Sequence, residues 1–199
     1  FAEYLGKPVQ AATVEEVAAV RPHVQAAIRD RSLTAALVKT HNALADLVGS
    51  PLINPAVTIG AIYMLRDPRD IAPSLAHHLG AGIDETITYM GTSGFSTPNA
   101  GDGPFEMWST WSEHVASWTG EPNPALLVVR YEDLSADPMG VFARVVEHLR
   151  QNVPETVIAE AVAASTFAEL AAAEKLYPFR ETSERIQHFL REGRVGAWR

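Results

Sequence analysis

Three short apolar runs, each ending where charged or hydroxylated residues open the next segment, constrain this chain more than any other feature. Residues 35–38 read Ala-Ala-Leu-Val, residues 58–65 are rich in β-branched and aromatic side chains, and residues 125–129 read Ala-Leu-Leu-Val-Val. Runs of this length and composition predict buried strands. Helical patterns lie between them. Thr13-Val14-Glu15-Glu16 is a capping box, in which hydroxyl and carboxylate satisfy each other's backbone donors, and predicts a helix to about Ile28 interrupted at Pro22. Asp70 is placed as the N-cap of a helix over 71–78, with Pro73 in its first turn. The spacing of Trp108, Trp111, Val115 and Trp118 predicts a helix over 105–118 with its rings on one packed face. Asp137-Pro138 marks the start of a helix over 141–149; helices are expected over 154–164 and 166–173, the second opened by the box Thr166 to Glu169. Residues 91–104, thick in Gly, Ser, Thr, Asn and Pro, read as a long loop of the kind used as lids.

Strands alternating with helices predict an α/β fold, a parallel β-sheet flanked by helices on both faces, with ligands at the C-terminal edge of the strands. His41, Arg66 and Tyr131 each follow a predicted strand, so the pattern gathers three distant segments at that edge. At 199 residues and 47% hydrophobic content the chain is expected to form one domain over 1–199. A formal charge of −8 argues against nucleic acid and anionic membrane as partners, so any phosphate site has to be built locally from arginines. The absence of cysteine excludes disulfides and thiolate metal sites and suits a reducing, cytoplasmic setting. No signal peptide or membrane-spanning run is legible, and a first residue other than Met leads to the expectation that both ends are incomplete.

Two arginine-bearing strings suggest an anion site. In Arg66-Asp67-Pro68-Arg69-Asp70 with Ser74, a guanidinium at a strand end can pair with a phosphate while a hydroxyl at the start of the next helix adds a donor. In Arg191-Glu192-Gly193-Arg194-Val195-Gly196-Ala197-Trp198, glycines let backbone N–H groups approach an anion closely. The plain structural alternatives are an Arg66 pairing with Asp67 or Asp70, and a solvated basic tail. His41 is of the type that accepts a hydroxyl proton near neutral pH, and Lys39 can offset charge on a leaving group. His77 and His78, adjacent on a helix, point apart and do not form a metal pair; no metal site is expected.

The order of Lys39-Thr40-His41, Arg66 to Asp70, Tyr131-Glu132-Asp133-Leu134 and Arg-x-Gly-x-x-Gly-x-Trp at 191–198 resembles the cytosolic-type sulfotransferase family, over about residues 37–198. The resemblance implies a P-loop-NTPase-like fold and 3′-phosphoadenosine 5′-phosphosulfate, PAPS, as sulfuryl donor, with adenosine 3′,5′-bisphosphate, PAP, as product. It implies that Arg66, Ser74, Arg191 and Gly193 hold the 3′-phosphate, with Glu192 where the family usually has lysine. Tyr131, Ser165 and Phe167 resemble its adenine-side contacts. It further implies His41 as general base, Lys39 on the leaving-group side, and no metal. His114, in Trp111-Ser112-Glu113-His114-Val115, resembles a family stretch that reads as packing near the substrate pocket.

The family's N-terminal 5′-phosphosulfate loop has no counterpart here. The expectation is that a strand and loop precede Phe1 and that the chain without them does not turn over; if nothing precedes Phe1, a bisphosphate-binding remnant is the better reading. Glu192, Ala197 and Pro73 are smaller departures. The expected partner is a small hydroxylated acceptor, and a homodimer stays open. The rival readings are a non-catalytic PAP-binding module and a P-loop small-molecule kinase, the latter without a Walker A string to support it.

Overall fold

The structure, a computed structural model, describes residues 1–100, 103–179, 182 and 186–199. In chain order its elements are α1 (Ala2–Leu5), a 3-10 turn (Val9–Ala11), α2 (Val14–Arg31), β1 (Asp46–Leu47), β2 (Ser50–Pro51), β3 (Ala61–Leu65), α3 (Pro68–Leu79), α4 (Ile83–Met90), α5 (Trp111–Thr119), β4 (Leu126–Arg130), α6 (Tyr131–Ala136), α7 (Pro138–His148), α8 (Glu155–Ala164) and α9 (Phe167–Leu176). Two compact units result: Phe1–Ala61 with Tyr89–Ala125, and Ile62–Thr88 with Leu126–Arg199.

In the first unit, the predicted capping box forms. Glu16 N–H donates to Thr13 Oγ1 at 3.2 Å and Thr13 N–H to the Glu16 carboxylate at 2.8 Å. The helix it opens runs on to Arg31, through Pro22 rather than stopping there. Its inner face places Val17 and Ala18 in a core with Val9, Leu52 and Phe105. Arg21, 5% exposed, enters this core by donating to the Phe105 carbonyl at 2.6 Å and stacking its guanidinium over the Phe105 ring. Burial pushes its pKa down, as expected for a cation leaving water. Helix α5 starts at Trp111, not at residue 105, because Thr110 and Glu113 form a capping box of their own. Trp108 therefore lies outside the helix, its ring tilted against Phe95. The loop over 91–104 carries two isolated bridges, Ser96 to Met107 and Ala100 to Gly103; residues 101 and 102 lie outside the described residues.

Residues 35–38 do not form the predicted strand. Leu37 and Val38 are exposed, and among the described residues no strand pairs with them. An apolar run adopts a strand only where a neighbour completes its hydrogen bonds and covers its side chains. A β1–β2 hairpin that the pattern did not show follows instead, pairing Asp46 with Pro51 and Leu47 with Ser50.

In the second unit, β3 and β4 pair in a parallel sheet flanked by helices, confirming the α/β class with two of the three predicted strands. The first of these begins at Ala61, three residues later than expected. Helix α7 packs against α6, α8 and β4, with a buried apolar residue on three of these elements: Val141 of α7, Val129 of β4 and Ile158 of α8. Asp137 caps α7 as predicted, accepting from Gly140 N–H at 2.9 Å, with Pro138 at the start of the helix. Thr166 caps α9 through Glu169 N–H at 3.3 Å. Among the described residues no single helix is long and apolar enough to cross a membrane.

The hairpin turn places both Val48 and Gly49 at positive φ, 51° and 76°, the requirement of a type I′ turn. Val48 is 72% exposed and so gains little packing to offset its left-handed backbone. Val48→Asn should raise the thermal midpoint, stabilising the fold by about 1 kcal/mol; an unchanged or lower midpoint in calorimetry would contradict the turn assignment.

Candidate functional site

Arg66 follows directly on β3 and Tyr131 directly on β4, so the pairing of two strands brings them together. The Arg66 guanidinium lies 4.2 Å above the Tyr131 ring, a cation–π contact. Its Nη2 donates to the Arg194 carbonyl at 3.1 Å and stands 4.0 Å from the Asp70 carboxylate. Its Nε is buried with no hydrogen-bond partner among the described residues. A buried donor without an acceptor is costly, so this edge of the guanidinium is suited to receiving one.

Asp70 does not cap the helix. Asp67 does: its carboxylate accepts from Arg69 N–H at 2.9 Å and pairs with the Arg69 side chain at 2.6 Å. Those hydrogen bonds hold its pKa down to about 2. Glu132 in turn accepts from Asp67 N–H at 3.0 Å. Asp67-Pro68 is the same signature recognised at Asp137-Pro138, and it starts α3 three residues early. Pro73 and Ser74 consequently sit in the second turn, not the first, so Ser74 is not at a helix start. Asp70 is freed for another task. Only 1% exposed, its carboxylate accepts from Gly196 N–H at 2.7 Å and Trp198 N–H at 3.1 Å. Arg69 stacks on the Trp198 ring at 4.3 Å.

The rest of the C-terminal segment is held in the same way. Glu174 of α9, 6% exposed, accepts from Phe189 N–H and, at 3.2 Å, from Leu190 N–H. His77 Nε2 lies 2.7 Å from the His188 carbonyl, and His77, His188 and Arg191 line an open groove of about 600 Å³. Gly193 has φ 61° and lies so close to the Phe167 ring that a Cβ would overlap it. Only glycine meets both conditions. Ser74, half-buried, shares a helix face with Asp70 one turn earlier. Ser165 is exposed in the turn between α8 and α9. Arg191 pairs with Glu192 at 2.8 Å, and Glu192 also pairs with Arg194 at 2.7 Å. Arg66, Tyr131, Phe167 and residues 191–198 are thus tied to one another within the second unit.

Lys39 and His41 belong to the first unit, both exposed, in a stretch that is neither helix nor strand. What fixes it is Asn42, 2% exposed and not singled out by the sequence pattern. Its Oδ1 accepts from Met107 N–H at 2.8 Å, its carbonyl accepts from Trp118 Nε1 at 3.1 Å, and its amide donates to Thr40 Oγ1 at 2.9 Å. His41 N–H donates to the Glu106 carboxylate at 3.1 Å, and the His41 carbonyl receives His114 Nε2 at 3.1 Å. Burial lowers the His114 pKa, with a smaller contribution from the charge of His41. A neutral ring protonated on Nε2 fits that contact. The main chain of His41 is held from both sides while its residue remains exposed. Among the described residues no three His, Asp or Glu side chains form a group that could hold a metal ion.

A family model described as the sulfotransferase domain matches residues 6–199. The chain belongs to the sulfotransferase domain family. Mouse sulfotransferase 2B1 is 30% identical over 143 residues, which cover 69% of this chain and 41% of that protein. Human sulfotransferase 1C2 is 28% identical over 102 residues, covering 47% of this chain and 33% of that protein. This sulfotransferase-family chain therefore spans less than half the length of the curated relatives it matches. The fold is shared with retinol dehydratase in complex with androsterone and the inactive cofactor PAP, at a TM-score of 0.62, 23% identity and coverage of 87% of this chain and 50% of that one. It is also shared with mouse sulfotransferase SULT7A1 complexed with PAP, at a TM-score of 0.52, 20% identity and coverage of 70% and 51%.

Removing the Asp70 carboxylate leaves two backbone N–H groups of the 191–198 segment without their acceptor. Asp70→Ala should destabilise the protein by about 3 kcal/mol, measured by urea unfolding, and speed amide exchange at Gly196 and Trp198. Slow exchange at both positions in the variant would show that the carboxylate does not hold them.

Proposed function

We propose that this chain binds PAPS through Arg66, Ser74, Arg191 and Gly193 and takes part in moving its sulfuryl group to the hydroxyl of a small acceptor, releasing PAP. The observation that carries the reading is the Arg66 guanidinium, stacked on Tyr131 and bonded to the 191–198 segment with one buried donor left over. A 3′-phosphate oxygen is the kind of acceptor that donor lacks, and a bidentate arginine–phosphate pair is strong and directional. Gly193, at positive φ and without a Cβ, lets the segment lie directly against the Phe167 ring, which brings the proposed phosphate and adenine contacts together. Tyr131, Ser165 and Phe167 take the adenine side in this reading. Two structural relatives hold PAP, which supports the nucleotide class.

Bound PAPS supplies the activated sulfuryl group. The chain's own residues supply the rest: His41 accepts the proton from the acceptor oxygen as that oxygen bonds to sulfur, and Lys39 offsets charge on the departing phosphate. Glu106 and His114 hold the His41 main chain so that only its side chain needs to adjust. No step is assigned to a metal ion. The reading includes a single domain in the cytoplasm with neither nucleic acid nor membrane as partner, supported by a family match over residues 6–199 and by the acidic, cysteine-free composition.

Titration calorimetry with PAP tests the grip, with Arg66→Ala expected to weaken binding about thirtyfold. His41→Ala should leave PAP affinity within about twofold, while transfer from labelled PAPS by the natural full-length protein falls about a thousandfold. Loss of PAP binding in His41→Ala would sink its assignment as base, and undiminished PAP affinity in Arg66→Ala would sink the grip.

A further inference from the structure

Glu192 stands between two arginines of the segment that the proposed function assigns to the 3′-phosphate. One carboxylate oxygen meets Arg191 Nη1 at 2.8 Å and the other meets Arg194 Nε at 2.7 Å. The hydrogen bond from Arg194 and the charge of Arg191 hold the carboxyl below its ordinary range, so it is ionised at neutral pH. The Arg191 and Glu192 side chains are 28% and 35% exposed, so the network can open at small cost. Arg194 also offers its carbonyl to Arg66. The same short stretch therefore carries a contact to one proposed phosphate ligand and an internal anion bound to another. A guanidinium edge occupied by a carboxylate is not available to a phosphate, and a carboxylate displaced from it remains close to the arriving charge.

We propose that Glu192 is a built-in competitor for the nucleotide 3′-phosphate, its carboxylate holding Arg191 and Arg194 until the phosphate takes Arg191 from it. The proposal rests on the reading that Arg191 belongs to the 3′-phosphate grip. Net affinity is then the difference between two anions for one cation, and removing the internal anion raises it. The effect is confined to nucleotides that carry the 3′-phosphate. Adenosine 5′-monophosphate, which lacks it, leaves the Glu192 network closed.

Titration calorimetry on the chain and on Glu192→Gln, using PAP and adenosine 5′-monophosphate, is paired with a chemical-shift titration using inorganic sulfate as a bare anion. Glu192→Gln should bind PAP about fivefold more tightly, bind sulfate more tightly as well, and leave 5′-monophosphate affinity unchanged. Glu192→Lys should tighten PAP further. A Glu192→Gln protein that folds with the parent's melting curve and binds neither PAP nor sulfate more tightly overturns the proposal. Tighter sulfate binding, with PAP no better than 5′-monophosphate in both proteins, places the failure in the 3′-phosphate reading and leaves Glu192 competing for a different anion.

Discussion

The arrangement of the second unit depends on one buried carboxylate. Asp70, on the inner face of α3, takes the N–H groups of Gly196 and Trp198, and with them fixes the end of a segment that has no helix or strand of its own. A carboxylate removed from water needs strong donors, and irregular backbone removed from water needs acceptors. Each requirement meets the other here. Because Arg66 lies one turn before Asp70 and bonds to Arg194, the contact that anchors the segment also sets where the proposed phosphate ligands can be.

The same device recurs throughout the chain. Glu174 takes Phe189 and Leu190, Glu132 takes Asp67, and Glu106 takes His41, each a carboxylate bonded to main-chain N–H groups of a segment without a ladder partner. The net charge of −8 thus has a structural side: part of the acidic excess is spent inside, as tethers for irregular segments. Each tether joins a side chain carried by a helix or loop directly to main-chain N–H groups of another segment. Side-chain to side-chain pairs such as Arg29 with Asp30, both well exposed, have no comparable effect on where the chain goes.

Local signals were legible where a short string carries its own hydrogen-bond logic. The box at Thr13 and the Asp-Pro pair at 137 formed as read, and strands β3 and β4 emerged within a few residues of their predicted limits. Asp70 was misread because it satisfies the N-cap preference as well as Asp67 does, and only the three-dimensional demand of Gly196 and Trp198, more than 120 residues away, decides between them. The run at 35–38 failed for the complementary reason: apolar composition states a need for burial, but a partner strand has to satisfy it. Asn42 left no signal at all. Its importance lies in four hydrogen bonds, two to the Thr40 hydroxyl and one each from Met107 N–H and Trp118 Nε1, the last two from positions no periodicity links.

The corrected start of α3 also changes what kind of anion site this can be. Were Asp70 the cap, Ser74 and the positive end of the helix would face a phosphate together. With Asp67 as the cap, that helix end already holds a carboxylate and the Arg69 guanidinium paired with it. The charge of the proposed phosphate grip then comes from Arg66 and Arg191, cations carried by side chains and tuned by neighbouring carboxylates, with Ser74 and Gly193 adding neutral contacts, rather than from a fixed array of helix N–H groups. A site of that kind is adjustable by single charge changes beside it, which a helix N-terminus is not, and the position that does so here is Glu192, already bonded to both arginines that precede Trp198 in the segment. Affinity in such a grip is set less by how many cations it contains than by how many of them the protein's own anions have already engaged.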